Sequence, residues 1–183
     1  MTRRVIFPPA DYWTQPQQEN PMTNLNAGDY RRSCALVYHY SHRDAEGCNA
    51  VLTEAVDARR VTALIVTVCD VFQHIVPTLV TPLGMACMSE LVIDIANTTD
   101  GDPDVRRAAQ LIAHQANDNR AAINAVLIEA DEDDRINELV NAILNLYETL
   151  LPALYSPTGL HALQRTIIDY AAQEDDGDDR EAE

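Results

Sequence analysis

Residues 76–85 read VPTLVTPLGM and residues 151–160 read LPALYSPTGL: two prolines five positions apart, then a glycine, with the second phrase 75 positions after the first. Proline lacks an amide donor and restricts the residue before it, so Pro77 and Pro152 predict helix ends. Thr81 and Ser156 then read as N-caps, with Pro82 and Pro157 at the first helical position, where a missing amide costs nothing. The phrase is therefore a helix stop followed by a restart, and it occurs twice.

The agreement extends well beyond the phrase. Residues 29–97 lie over 104–172 without a gap, with roughly three positions in ten identical. DYRRSCALVYH faces DVRRAAQLIAH, and NAVLTEAVDARRVTALI faces NAVLIEADEDDRINELV. Most other positions exchange like for like, as with Val61 and Ile136, Phe72 and Tyr147, or Val92 and Ile167. Such a match reads as a tandem duplication of a unit of about 75 residues.

Each unit carries four helical patterns and no segment of strand period, so the fold class is all-α. The first helix is expected to start at Asp29 or Asp104 as N-cap. The second runs over about 44–56 and 119–131, and the third over about 58–76 and 133–151. In the third, apolar residues at 61, 64, 65, 68, 71, 72 and 75 oppose a polar stripe of Thr62, Asp70 and Gln73, an amphipathic pattern. The fourth follows the proline phrase and buries Met85, Met88, Val92 and Ile95, or Leu160, Leu163, Ile167 and Tyr170. The favoured architecture is two four-helix units packed with pseudo-two-fold symmetry, each with its own small core; a short α-solenoid is the alternative. The chain then divides into an irregular N-terminal arm (1–27), unit 1 (28–102), unit 2 (103–172) and a disordered acidic tail (173–183).

Composition narrows function. The formal charge is −16, from 29 acidic and 13 basic residues in 183, which disfavours direct binding to nucleic acid or anionic lipid and favours a partner with a basic surface. All 13 basic residues are arginine; the absence of lysine excludes Schiff-base catalysis on a lysine and points to a high-GC bacterium such as an actinobacterium, or its phage. The longest strongly apolar stretch, 61–72, is interrupted by Asp70 and is short for a membrane span. The start has no signal-peptide core, so a cytoplasmic location is expected.

The internal comparison also sorts candidate sites. Cys34, Cys48, Cys69 and Cys87 face Ala109, Ile123, Leu144 and Ala162, so they read as small buried hydrophobes rather than metal ligands; no metal or cofactor is expected. The polar residues shared by both units include Asp29/Asp104, Arg32/Arg107, His39/His114, Glu54/Glu129 and Arg60/Arg135. Arg32, His39, Glu54, Arg107, His114 and Glu129 are the candidate ligand-binding set, lining a pocket between the units. The competing reading is an ion-pair network that docks helices, for instance Glu54 with Arg32 or Arg60. Asp131–Asp134 (DEDD) reads as a solvated acidic loop. No catalytic residues are identifiable.

The arm holds four of the nine prolines together with Phe7, Tyr12 and the only tryptophan, Trp13; these three are the candidate partner-binding residues, either docking a partner or packing across the body. The sequence thus points to a non-enzymatic, cytosolic protein-interaction or regulatory protein. The other class is a ligand-binding or enzymatic helical protein using the Arg/His/Glu pocket.

Overall fold

The computed structural model describes residues 25–181, with the side chains of 72–74 and 175–181 outside that description. Eight α-helices follow one another, with no strand among the described residues: α1 (Ala27–Ser41), α2 (Ala45–Asp57), α3 (Val61–Leu79), α4 (Pro82–Ala96), α5 (Pro103–Ala116), α6 (Arg120–Glu132), α7 (Ile136–Leu150) and α8 (Pro157–Glu181). A 3-10 turn at Pro152–Tyr155 joins α7 to α8. The starts of α2 and α6, of α3 and α7, and of α4 and α8 are each 75 positions apart.

Local chemistry explains most boundaries. The hydroxyls of Thr81 and Ser156 accept from Gly84 N and Gly159 N, both at 3.2 Å, with proline at the first helical position. The first helices are capped earlier than expected, by three residues in α1 and two in α5. Asn26 caps α1 in a capping box with Asp29, and Asp102 caps α5. Asp29 and Asp104 sit inside the first turn and are buried. Both carboxylates are held by arginines, and that of Asp29 also accepts from Asn26 N in the capping box.

Pro77 does not stop its helix. It lies inside α3, where it removes a single amide from the last turn; Val80 N still donates to Val76 O at 2.9 Å, and Thr78 Oγ1 donates to Ile75 O at 2.6 Å. Pro152 does coincide with an end, because Leu151 has left helical geometry (φ −129°, ψ 60°).

The connections α1–α2, α2–α3, α5–α6 and α6–α7 share one device. Arg43, Arg59, Asp118 and Asp134 take positive φ of 47–55°. The two amides at each turn fold back on the preceding helix, as in Arg59 N to Val56 O and Arg60 N to Ala55 O. This helix-ending motif ordinarily recruits glycine.

Packing departs from two self-contained units. α8 lies antiparallel along α1, and α4 along α5, so the last helix of each half covers the first helix of the other. One continuous apolar core results, with α3 and α7 in its middle. α3 is accordingly buried on more than one face: Ala63, Val66, Thr67, Cys69 and Asp70 are buried along with Val61, Leu64, Ile65, Val68, Val71 and Ile75, while Thr62 is half-buried and the side chains of 72–74 lie outside the described residues. By length and composition alone α3 would be long enough to cross a membrane; 80% of it is buried here against the other helices. Its polar groups are met inside. Thr67 Oγ1 donates to Ala63 O at 2.8 Å, and the Tyr147 hydroxyl of α7 donates to Val68 O and, at 3.3 Å, to Cys69 O.

The acidic end is helical rather than irregular, since α8 continues to Glu181. Glu174 anchors this extension on Arg31 (2.7 Å) and Arg32 (3.8 Å) of α1. Gly28 permits that approach, because a Cβ there would overlap the Glu174 carboxylate.

The left-handed turns give a direct test. A non-glycine residue in this region costs roughly 1–2 kcal/mol, and glycine costs about 0.5–1 kcal/mol in chain entropy. Arg59→Gly and Asp134→Gly are each expected to raise stability by about 0.5–1 kcal/mol in urea unfolding; a loss in both would mean the turns are not as described.

Candidate functional site

The shared polar residues assemble into two clamps. In the first, the Asp29 carboxylate, with no exposed surface, accepts from Asn26 N (3.0 Å), Arg32 NH1 (3.1 Å) and Arg60 Nε (3.0 Å), and also pairs with Arg60 NH2. Arg32 Nε donates to Glu54 at 2.9 Å, and Arg31 pairs with Glu54 and Glu174. Asp29 thereby ties α1 to the start of α3, and Glu54 ties α2 to α1. Burial pushes the Glu54 carboxyl up, but Arg31 and Arg32 outweigh it and hold it below its ordinary range.

The second clamp repeats the scheme. Asp104 pairs with Arg107 (3.4 Å) and Arg135, and Arg107 donates to Glu129 at 2.8 and 3.0 Å. It also pairs with Asp133, so one carboxylate of the expected solvated loop is engaged. The clamp is more open, with the Arg135 side chain 42% exposed against 18% for Arg60.

Arg32 with Glu54, and Arg107 with Glu129, are therefore brought together as pairs, while Arg60 takes Asp29 instead of Glu54. The histidines are elsewhere. His39 Nδ1 meets Asp44 at 2.8 Å, and the Asp44 carboxyl is held below its usual range first by the Gly47 amide and then by His39. His114 lies half-buried in the last turn of α5, about 10 Å along the helix from Arg107. Among the described residues no group of three or more His, Cys, Asp or Glu is placed to hold a metal ion. Cys34 and Cys48 are buried, with thiols pushed by burial up to about 12 and about 11, and Cys69 is raised for the same reason. Cys87 differs from expectation: it is exposed, because α4 turns most of its surface outward.

That outward surface departs from the expected burial of Met85, Met88, Val92 and Ile95, of which only Val92 is fully buried. α4 is an apolar helix, PLGMACMSELVIDIA, yet Val92 alone among its described side chains is buried. Leu83 is 74% exposed and Ile93 52%. Between α4 and α5 lies a cavity of about 340 Å³ whose lining includes Val76, Met85, Met88, Val92, Ile93 and Ala113. Such a volume falls in the range of ligand-sized clefts.

The contacts between α1 and α8 are aromatic and polar instead. Tyr38 stands where α5 has Ala113, its hydroxyl accepts from Gln164 Nε2 at 2.7 Å, and its ring packs on His42 with centroids 4.3 Å apart. Tyr30 stacks on Tyr170 at 5.3 Å, and Glu174 pairs with Arg31. The corresponding residues along α5 and α4 are Ala113 with Ser89, Val105 with Ile95, and Thr99. An aromatic stack, a hydrogen bond and ion pairs thus fasten α8, while a cavity lined in part by Ala113 and Ser89 lies beside α4. The difference was readable from the paired sequences once it was known which helices meet.

Phe7, Tyr12 and Trp13 lie outside the described residues. The sequence matches no protein-family model, and neither a curated protein nor a solved structure matches it.

The clamps predict an order of stability losses. Asp29→Asn leaves Arg32 and Arg60 short of a buried counter-charge and is expected to cost about 3–5 kcal/mol. Glu54→Ala, at a carboxylate exposed to 41%, should cost about 1 kcal/mol or less. Because the folded-state pKa of Glu54 is depressed, its contribution is present above the unfolded carboxyl range near 4.3 and is lost as pH falls through the folded value. Thermal melts of both variants at pH 7 and pH 3.5 check this; equal losses at pH 7 would contradict the clamp.

Proposed function

We propose that this chain is a non-enzymatic, cytosolic interaction or regulatory protein that uses the α4/α5 groove to bind a partner segment combining apolar and basic side chains. The observation that carries this is the outward apolar face of α4 beside an open cavity. Contiguous exposed apolar surface of this kind marks interaction sites. Exposed carboxylates at Glu90 and Asp94 follow the lining residues Ser89 and Ile93 on α4, and the chain's charge of −16 would steer a basic partner toward it. A helix laying its apolar face into a groove suits this shape.

We further propose that the body is a tandem duplication of a four-helix unit of about 75 residues with pseudo-two-fold symmetry, in which the fourth helices are exchanged between halves. Support comes from the gapless sequence agreement, the recurrence of helix starts at the same spacing, the paired left-handed residues Arg43/Asp118 and Arg59/Asp134, and the repeated clamps. On this reading the clamps are the common scaffold and the groove is where the copies have diverged. The alternative Arg/His/Glu pocket has less support, because Arg32, Glu54, Arg107 and Glu129 are engaged with one another.

Affinity capture from the native host with the wild-type chain and with Leu91→Asp/Ile93→Asp tests the proposal. Both positions are exposed, so the fold should persist. The expected result is a stoichiometric protein retained by the wild type, released by salt and reduced at least ten-fold by the variant. Identical captures, or none, would overturn it.

A further inference from the structure

We infer that the cavity between α4 and α5 is a binding site for a small uncharged molecule, an unbranched apolar chain ending in a hydroxyl. The site adjoins the docking face proposed above but lies beneath it and needs no partner.

The outward apolar positions of α4 and the walls of the cavity are mostly different residues. Leu83, Cys87 and Leu91 are exposed, and none of them lines the cavity. Its walls include Val76 of α3, Met85, Met88 and Val92 of α4, and Ile112 and Ala113 of α5. Val76, Val92 and Ile112 belong to the buried core, so the space runs inward from the surface to it.

Size and shape select the ligand. An apolar cavity of about 150 Å³ admits benzene, with its six carbons, so by the same scale the 340 Å³ found here takes about a dozen non-hydrogen atoms. The lining runs from Met85 to Ile93 on α4, about 12 Å along the helix, which leaves a space of that volume roughly 6 Å wide. A chain fits such a slot better than a fused ring. Met85 and Met88 are the only methionines among the described residues, and their flexible thioethers adapt to a guest of varying bend.

Polarity fixes the head group. Among the described residues no charged side chain lines the cavity, so an ionised head would lose water without gaining a counter-charge. An anion would also meet the chain's charge of −16. The polar lining is Ser89 and Asn117, both exposed and therefore at the mouth. The Ser89 hydroxyl donates to Met85 O at 3.0 Å, and Asn117 Nδ2 donates to Ala113 O at 2.7 Å. Each side-chain oxygen keeps lone pairs that can accept from a ligand O–H.

The test titrates 1-decanol, decanoate and decylamine into the full-length protein labelled with carbon-13 on its methionine methyls. Decanol should move the Met85 and Met88 resonances saturably, at one molecule per chain, with an affinity about ten-fold or more above that of either charged probe. Ala113→Leu/Ala116→Leu, at one half-buried and one exposed helical position, should weaken decanol binding about ten-fold with helical circular dichroism unchanged. Ser89→Ala/Asn117→Ala should weaken it several-fold, and Leu83→Ala, outside the cavity, should leave it unchanged.

The wild-type titration decides the matter even if a variant fails to fold. No saturable shift at either methionine, decanoate or decylamine binding as tightly as decanol, or undiminished binding to a folded Ala113→Leu/Ala116→Leu variant would each overturn the proposal. No partner enters these readouts, so a protein captured through Leu91 and Ile93 alongside a failed titration would sink the ligand site alone.

Discussion

The fold depends on burying two carboxylates, Asp29 and Asp104, in the first turns of α1 and α5. Asp29 has no exposed surface and is surrounded by a backbone amide and two guanidinium groups drawn from α1 and from the residue that opens α3. Removing a carboxylate from water is costly, and only a full set of donors compensates. Once that set exists it fixes the register of α1 on α3, because a slip of one residue would strand a charge. Asp104 imposes the same requirement on α5 and α7. Hydrophobic burial supplies most of the drive to collapse, but it is not directional; the clamps say which helix faces meet.

With α1 and α5 held in this way, each has one flank left, which α8 covers on α1 and α4 covers on α5. α8 completes α1 with the Tyr30–Tyr170 stack, the Tyr38–Gln164 hydrogen bond and the ion pairs of Glu174. α4 completes α5 with fewer specific contacts, among them Gln110 Nε2 donating to Ala96 O at 3.2 Å. Asp70 of α3 accepts from Tyr30 of α1 (3.0 Å) and also, across to α5, from Gln115 (2.6 Å), while Asn145 of α7 accepts from Tyr40 of α1 (2.7 Å). Two similar scaffolds thus end in one secured helix and one that presents an apolar surface. That asymmetry is the basis for the function proposed above.

Much of this was legible in the chain. The helical class, the restart at Thr81–Pro82 and Ser156–Pro157, and the pairings Arg32–Glu54 and Arg107–Glu129 all follow from periodicity, cap chemistry and the internal comparison. What failed did so for physical reasons. Pro77 was expected to end α3, yet a proline in the last turn forfeits one hydrogen bond and leaves the rest intact. Asp29 looked like a cap because local sequence does not reveal that Arg60, 31 residues away, competes for it. The acidic end was expected to be irregular from its charge, whereas Glu174 is retained by arginines on a helix distant in sequence. The groove was invisible because periodicity marks which residues of α4 are apolar but not which helix they will meet.

The claim that buried carboxylates dictate how the helices dock is tested most directly by double-mutant cycles in urea unfolding at Asp29–Arg60 and Asp104–Arg135. Coupling above about 1.5 kcal/mol is predicted for the first pair and a smaller value of the same sign for the second, whose arginine is the more exposed. Coupling near zero at both pairs would contradict the account, leaving nonspecific packing to choose the helix faces.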